Sequence, residues 1–247
     1  MFYQPIVTSA LLLAVGAHAA VHNSSYNWAG GIVELPGKII EASVQVVVPE
    51  CTDSNFNSIA GMSGWVGIDG YGACDGALLQ TGFGCSIING DGKQNLSYNV
   101  WTEWYPATSV TYDNFDVKAG DLLSLSVSAK SKTSGSTSIY NHRTGQRKQT
   151  QYTDQPSLCL DYAEWIVESE FFEDHGIDGG ELTANFTPVD FSQVSYLTSD
   201  HKTGTVAVDD LFNMVQNDNT TVAESCYKSE GNFVVRFTQP ASWHPWE

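Results

Sequence analysis

An all-β fold, built most economically from two stacked antiparallel sheets, is the architecture that the sequence predicts. Apolar and polar side chains alternate at a period of two, most clearly where Leu123, Leu125 and Val127 alternate with serines. Such alternation is typical of a strand, because neighbouring residues point to opposite faces. Helix-period apolar patterns are almost absent, and turn clusters rich in Gly, Asn, Asp and Ser punctuate the chain at fairly regular intervals. Many short alternating strands favour a β-sandwich or barrel, and two stacked sheets fill this length best.

Each strand prediction rests on an alternating segment or on a short apolar run between turn residues. The predicted strands are 29–35, 41–48, 62–68, 77–83, 98–105, 123–129, 136–141, 162–169, 193–198, 204–209 and 233–237. No linker, internal repeat or low-complexity block interrupts them, so we expect a single domain over residues 20–247.

The beginning of the chain predicts export. A short apolar run ends in Ala17-His18-Ala19, which is typical of a secretory signal peptide over residues 1–19, although basic residues are missing at its start. The run is too short for a membrane span, and no later segment approaches one. We therefore expect a secreted, extracellular protein. Four sequons agree with export and predict exposed glycosylation sites, at Asn23, Asn95, Asn185 and Asn219.

The charge narrows the range of partners. The formal net charge is −17, from 28 acidic and 11 basic residues, so phosphates would be repelled and neither nucleic acid nor an anionic membrane is expected to bind. The charge fits either a soluble secreted surface or a protein for acid surroundings, where protonated carboxyls repel each other less. A monomer is the default expectation. Five cysteines leave at least one thiol unpaired within the chain, and spacing alone does not assign the bridges.

Several hydrolase signatures are absent from the sequence. Gly61-Met62-Ser63-Gly64-Trp65 is not Gly-x-Ser-x-Gly, because a tryptophan takes the last position. There is no His-Glu-x-x-His, no Asp-Thr/Ser-Gly pair and no recognisable thiol-protease context. The acidic segment 170–182 does not meet EF-hand spacing. We therefore predict no metal site and no cofactor.

Carboxylates, amides and aromatic residues on strands remain as candidates for chemistry. The segment 64–83 leads one strand into the next through a Gly-rich turn, with Asp69 on the first strand and Gln80 on the second. Glu103 shares a strand face with two aromatic residues, and Glu164 and Glu168 share a face of another strand. A carboxyl among aromatic rings is desolvated, which raises its pKa toward values useful for general acid–base work. Gln80, Glu103 and Glu164 could equally be ordinary polar residues that are solvated or hydrogen-bonded for structural reasons.

Together these segments resemble the glutamic peptidases, or eqolisins, a family of secreted acid endopeptidases best known from fungi. The matching elements occur in the right order and at compatible spacing over most of the chain. They are Asn27-Trp28-Ala29-Gly30-Gly31, Trp65-Val66-Gly67-Ile68-Asp69-Gly70, Leu79-Gln80-Thr81-Gly82-Phe83, Glu103-Trp104-Tyr105-Pro106 and Ala163-Glu164-Trp165-Ile166-Val167-Glu168, with weaker similarity through Val206-Ala207-Val208-Asp209-Asp210.

The resemblance implies a concanavalin-like β-sandwich and a catalytic pair formed by Gln80 and Glu168. Glu168 would act as general base and then general acid, while Gln80 would orient the attacking water and stabilise the oxyanion. It further implies a disulfide between Cys74 and Cys159 and protein or peptide substrates. We assign the remaining positions as two supporting carboxylates, Asp69 and Glu103, and four aromatic residues of the substrate cleft or the core, Trp28, Trp65, Trp104 and Tyr105.

Two other functions remain open on the same fold, because a fold does not decide a function. A glycoside hydrolase would need two carboxyl groups about 5–10 Å apart. Glu164 and Glu168 lie four residues apart on one strand, roughly 13 Å by strand rise, which is too far. A pair formed by Glu103 and Glu168 stays open. A lectin-like carbohydrate-binding module would not need Gln80.

Overall fold

The fold is known from a computed structural model that describes residues 23–52, 59–90, 93–169, 183–216 and 219–238. The expected signal peptide and the acidic segment 170–182 lie outside the described residues. The described chain is almost entirely β-structure, which confirms the predicted fold class. Its strands are β1 (Asn23–Ser25), β2 (Trp28–Glu34), β3 (Ile39–Val47), β4 (Cys51–Thr52), β5 (Ile59–Asp69), β6 (Leu78–Gly90), β7 (Lys93–Tyr105), β8 (Val110–Thr111), β9 (Leu122–Ser131), β10 (Ser134–Asn141), β11 (Arg147–Tyr152), β12 (Tyr162–Ser169), β13 (Asn185–Phe186), β14 (Val189–Thr198), β15 (Thr203–Gly204), β16 (Leu211–Gln216), β17 (Thr220–Ser229) and β18 (Asn232–Phe237).

Two short 3₁₀ turns complete the secondary structure of the described residues, Gly72–Cys74 between β5 and β6 and Val208–Asp210 before β16. The predicted strand 204–209 is therefore wrong, since only its first residue belongs to a strand. None of the described helical segments is long and apolar enough to cross a bilayer.

Hydrogen bonding runs through the strands in the order β11-β10-β9-β3-β14-β18-β17-β16-β2-β12-β5-β6-β7-β8. All neighbours along this path are antiparallel. β1 lies off the path and pairs in parallel with β16. Strands far apart in the order nevertheless meet face to face, since β3 contacts β5 and β12, and β6 contacts β9 and β10. The path therefore folds over into two layers, with β2, β12, β5, β6 and β7 in one layer and β3, β9 and β10 in the other.

The main core fills the space between the two layers, and buried polar bonds tie the layers together. Ala163, Trp165 and Val167, which are predicted to form the core face of their strand, are fully buried in this core. The indole Nε1 of Trp165 donates to the backbone oxygen of Ser43 on β3, 2.9 Å away. A buried indole N–H needs such a partner, and this one also links the two layers.

A second, smaller apolar cluster lies on the opposite face of β12 and its neighbours. Its buried members are Ile32, Trp65, Cys74, Leu78, Tyr162 and Ile166. The loop between β5 and β6 lies against this cluster, and its Tyr71 ring packs edge-on against Tyr162 and Phe212. A disulfide between Cys74 and Cys159 joins the loop to the segment that enters β12.

The structure also shows how the other cysteines are arranged. Cys51 and Cys85 form a second disulfide, which joins β4 to β6. Cys226 is a half-buried free thiol, and its Sγ accepts a hydrogen bond from Nη1 of Arg236 at 3.3 Å. Of the four sequon asparagines, Asn185 is half-buried and the other three are exposed.

Candidate active site

A cleft of about 500 Å³ opens on the face of β12 that points away from the main core. Its walls come from β2, β12, β5, β6 and β7, from the loop after β5 and from the segment around β8. The lining residues are Trp28, Ser63, Gly70, Asp75, Leu78, Gln80, Asn99, Trp101, Glu103, Tyr105, Ser109, Thr111 and Glu168. Both members of the predicted pair, Gln80 and Glu168, therefore line one cleft.

Strand register sets which side chains stand side by side. Glu168 pairs with Trp28 on β2 and with Ser63 on β5. Across the next two strands this row continues through Gly84 to Asn99 on β7. A second row places Gln80 between Gly67 and Glu103.

Between these two rows, glycine keeps the floor of the cleft free of a side chain. Gly82 pairs with Trp65 on one side and with Trp101 on the other. A Cβ at Gly82 would lie 2.4 Å from the backbone oxygen of Gly64 and 2.6 Å from Cβ of Trp65. Such distances are far below van der Waals contact, so only glycine fits beneath the cleft.

Two neutral N–H donors hold the carboxylate of Glu168. The indole Nε1 of Trp65 donates to Oε2 at 2.8 Å, and Nδ2 of Asn27 donates to Oε1 at 3.4 Å. Trp65 is fully buried, so its ring is fixed by packing and the donor is preorganised. Neutral donors orient the carboxylate while leaving its charge unneutralised.

Gln80 is held by Glu103. The amide Nε2 of Gln80 donates a short hydrogen bond to Oε2 of Glu103. Because a carboxylate only accepts, this bond decides which way the amide faces. The amide oxygen Oε1 is buried and has no partner among the described residues. Burial raises the pKa of the Glu103 carboxyl, and the hydrogen bond from Gln80 opposes that rise.

Asp69 binds the backbone of the segment that enters β12. Its buried carboxylate accepts the backbone N–H groups of Leu160 and Asp161 at 2.8 Å each and of Tyr162 at 3.1 Å. Burial raises the pKa of Asp69, and these three donors oppose the rise. Asp69 therefore ties the end of β5 to the segment that enters β12.

Glu164 is buried, whereas Glu168 is accessible from the cleft. It lies on the same strand face, between Tyr162 and Ile166 of the second apolar cluster, and it is 0% exposed. Neither carboxyl oxygen has a hydrogen-bond partner among the described residues. Burial first, then the carboxylates of Asp69 and Glu168, raises the pKa of Glu164 well above its ordinary value. Glu164 is therefore fully buried and does not line the cleft.

The aromatic residues predicted for the cleft divide into three groups. Trp28 and Tyr105 line it, whereas Trp65 lies fully buried below it and touches Glu168. Trp104 does not belong to the cleft, because it packs in the main core, where its Nε1 donates to the backbone oxygen of Pro156 at 3.0 Å. Strand alternation explains this correction, since Trp104 points away from its neighbours Glu103 and Tyr105.

Two further residues of the site, Asn27 and Asn99, carry a signal in the sequence. Asn27 lies inside the first quoted motif, and Asn99 shares a strand face with Trp101 and Glu103.

One group of side chains has the form of a metal site: the sulfurs of Cys74 and Cys159 lie close to a carboxylate oxygen of Asp161. The two sulfurs are bonded to each other, so this group has no thiolate to offer a metal.

Comparison with known proteins decides the family. The sequence model of the Peptidase A4 family matches residues 26–237. The chain belongs to the Peptidase A4 family, the glutamic peptidases. It is therefore a hydrolase that acts as a protease, as its motifs predict. The glycosidase and lectin alternatives lose their basis.

Individual glutamic peptidases agree with this assignment. The chain is 37% identical to scytalidopepsin B of Scytalidium lignicola over 191 residues, which cover 74% of this chain and 67% of that relative. It is 32% identical to aspergillopepsin-2 of Aspergillus niger over 168 residues, 66% of this chain and 55% of that relative. A solved scytalido-glutamic peptidase with a transition-state analogue inhibitor superimposes with a TM-score of 0.71 at 30% identity, over 86% of this chain and 98% of that one.

Proposed function

We propose that the protein is a secreted acid endopeptidase whose catalytic pair is Glu168 and Gln80. The observation that carries this proposal is that a carboxylate and an amide line one cleft, each oriented by its own hydrogen-bond partner. Peptides are the proposed substrates, because a solved scytalido-glutamic peptidase is in complex with a peptide-based transition-state analogue.

Glu168 is the proposed general base and acid. Its carboxylate takes a proton from a water molecule, whose oxygen then bonds to the scissile carbonyl carbon. The protonated carboxyl next gives that proton to the amide nitrogen, and the C–N bond breaks. The N–H groups of Trp65 and Asn27 support both steps, because they orient the carboxylate without neutralising it.

Gln80 is the proposed partner that orients the water and stabilises the oxyanion. One hydrogen of Nε2 is engaged by Glu103, so the second is left for the oxygen that becomes negative in the tetrahedral intermediate. The buried Oε1 is an acceptor that suits a proton of the attacking water. Glu103 thus positions the amide, and a change at Glu103 should act through Gln80.

The residue types suit acid surroundings. An amide supplies donors at any pH, whereas a histidine base would be fully protonated in acid. The net charge of −17 also produces less self-repulsion when many carboxyls are protonated. Secretion is supported by the sequence of residues 1–19 and by the two disulfides, which persist in oxidising compartments.

Acid digestion of a denatured protein, beside the same assay on β-glucan, tests the proposal. We expect peptide-bond cleavage at acid pH that pepstatin, chelators, serine reagents and thiol reagents leave unchanged, and no release of sugar. Loss of activity with a chelator would reveal a metal mechanism. Turnover of glucan alone would replace the peptidase with a glycosidase.

A further inference from the structure

Asn99 is a cleft residue whose side chain is incompletely bonded. It projects from β7 into the cleft, and its carboxamide oxygen Oδ1 is buried without a partner in the part of the chain that the structure describes. A buried acceptor of this kind costs free energy in the unliganded protein unless a ligand or water satisfies it. Because Asn99 lines the cleft, a bound substrate can supply the missing donor.

The row that contains Asn99 also contains the proposed base. Trp28, Glu168, Ser63 and Asn99 come from successive or nearly successive strands, and all four side chains line the cleft. Gly84, which occupies the remaining place in the row, has no side chain. The row therefore places Glu168, Ser63 and Asn99 on one wall of the cleft, and Gly84 adds no side chain between Ser63 and Asn99.

The two ends of the row are complementary to a peptide backbone. At one end, the buried indole Nε1 of Trp28 is a donor that lacks a partner among the described residues, and at the other end Oδ1 of Asn99 is an acceptor in the same condition. A peptide main chain offers both a C=O and an N–H at every residue. None of the described residues that line this cleft is basic. Besides the carboxylates of Asp75, Glu103 and Glu168, its walls offer the substrate neutral donors and acceptors such as these two.

We propose that Asn99 is a substrate-binding residue whose carboxamide oxygen accepts a hydrogen bond from a main-chain N–H of the bound peptide. This inference rests on the proposed function. Asn99 lies three strands from Glu168, about 14 Å at the usual strand spacing of about 4.8 Å. An extended peptide rises about 3.4 Å per residue, so the N–H that is recognised lies roughly four residues from the scissile bond.

The test uses peptides of two lengths and a scan of N-methylated peptides. A long peptide extends six residues on both sides of the cleaved bond, and a short one extends two. We expect Asn99→Ala to lower kcat/KM about fivefold to tenfold on the long peptide, as for one neutral hydrogen bond, and to leave the short peptide unchanged. Asn99→Asp keeps an acceptor oxygen and should retain most of the activity.

N-methylation identifies the donor. One methylated position near the fourth residue should lower kcat/KM of the wild type by a similar factor and have no effect in Asn99→Ala. Ser97→Ala is the matched control, because Ser97 lies on the same face of β7, is exposed and is not among the cleft residues. Thermal unfolding midpoints verify that each variant folds. The wild-type N-methyl scan tests the proposal even without Asn99→Ala.

The outcomes separate this inference from the proposed function. Suppose that the wild type cleaves peptides but Asn99→Ala lowers kcat/KM equally for both peptide lengths, or that no methylated position loses its effect in Asn99→Ala. The assignment of Asn99 is then wrong, while the proposed peptidase function is unaffected. If Asn99→Asp is as impaired as Asn99→Ala, the side chain is not an acceptor. If the wild type cleaves neither peptide, the proposed function fails, and this inference fails with it.

Discussion

Replacing Trp65 with phenylalanine should separate catalysis from stability. Trp65 and Trp165 are both fully buried, and each indole N–H has one acceptor. That of Trp165 is a backbone oxygen of Ser43 in the opposite layer, at 2.9 Å. That of Trp65 is Oε2 of Glu168, at 2.8 Å. Trp165→Phe is therefore the matched control, with the same loss of volume and a hydrogen bond of similar length but without the catalytic partner.

The size of the expected loss of activity follows from the charge of the atom that accepts the hydrogen bond from Trp65. A hydrogen bond to a charged group contributes about 1.5–3 kcal/mol, and one to a neutral group about 0.5–1.5 kcal/mol. The longer bond from Asn27 to Glu168, at 3.4 Å, is too weak to replace the one lost. If the orientation of Glu168 carries through to the transition state, Trp65→Phe should lower kcat/KM roughly 10- to 100-fold, since about 1.4 kcal/mol corresponds to a factor of ten.

The assay is kcat/KM on a fluorogenic peptide at acid pH, with thermal unfolding of the same samples. We expect both variants to lose about 2–4 kcal/mol of stability through the cavity and the lost bond, and only Trp65→Phe to lose activity. A Trp65→Phe variant that keeps kcat/KM within twofold of Trp165→Phe would refute the idea that the indole orients the base.

Three further predictions concern stability. The pKa of Glu164 is raised in the folded state, so its contribution to stability is present below the unfolded pKa near 4.5 and is lost as pH rises through the folded pKa. Between pH 4 and 8, the thermal unfolding midpoint of Glu164→Gln should therefore fall less than that of the wild type. Parallel curves of midpoint against pH would contradict this. Gly82→Ala should lower the stability by about 1–3 kcal/mol or more, because the added Cβ overlaps the backbone of the neighbouring strand. Gly76→Ala is the control, since its Cβ would have open space, and it should leave the unfolding midpoint unchanged. Equal midpoints for the two variants would refute the packing argument. Removing the Cys74–Cys159 disulfide, which spans 85 residues, should cost roughly 2–4 kcal/mol of stability. Because its loop is longer, this cost should exceed that of removing Cys51–Cys85, which spans 34 residues, by about 0.8 kcal/mol. Denaturant titration gives both values, and the reverse order would show that loop entropy does not dominate.

Most of the layered architecture could be read from the alternation of side chains. The period of two places Ala163, Trp165 and Val167 in the core, where the structure has them. The same rule places Trp104 opposite to Glu103, and the expectation that Trp104 lines the cleft came from its place in a motif. Alternation is weaker where both faces of a strand are polar. The edge strand β11 (Arg147–Tyr152) is an example, and it has no counterpart among the predicted strands.

Only the resemblance to the glutamic peptidases separates Glu168 from Glu164 in the sequence; the residue pattern itself does not. Both are glutamates on the same face of one strand, so propensity and alternation treat them alike. What separates them is the loop after β5, which packs over the end of β12 that carries Glu164 and leaves the other end open. Register and loop placement are tertiary properties, and the local pattern contains neither. The hydrogen bond that orients Gln80 depends in the same way on the pairing of β6 with β7.

The most direct test of the proposed mechanism is the turnover of a single peptide by Glu168→Gln and Gln80→Ala at acid pH, with thermal unfolding to verify that both variants fold. Each change should reduce kcat by at least about a hundredfold, as for the loss of a general base or of an oxyanion donor, while the folded state persists. A folded Glu168→Gln enzyme that still cleaves at a substantial fraction of the wild-type rate would contradict the mechanism.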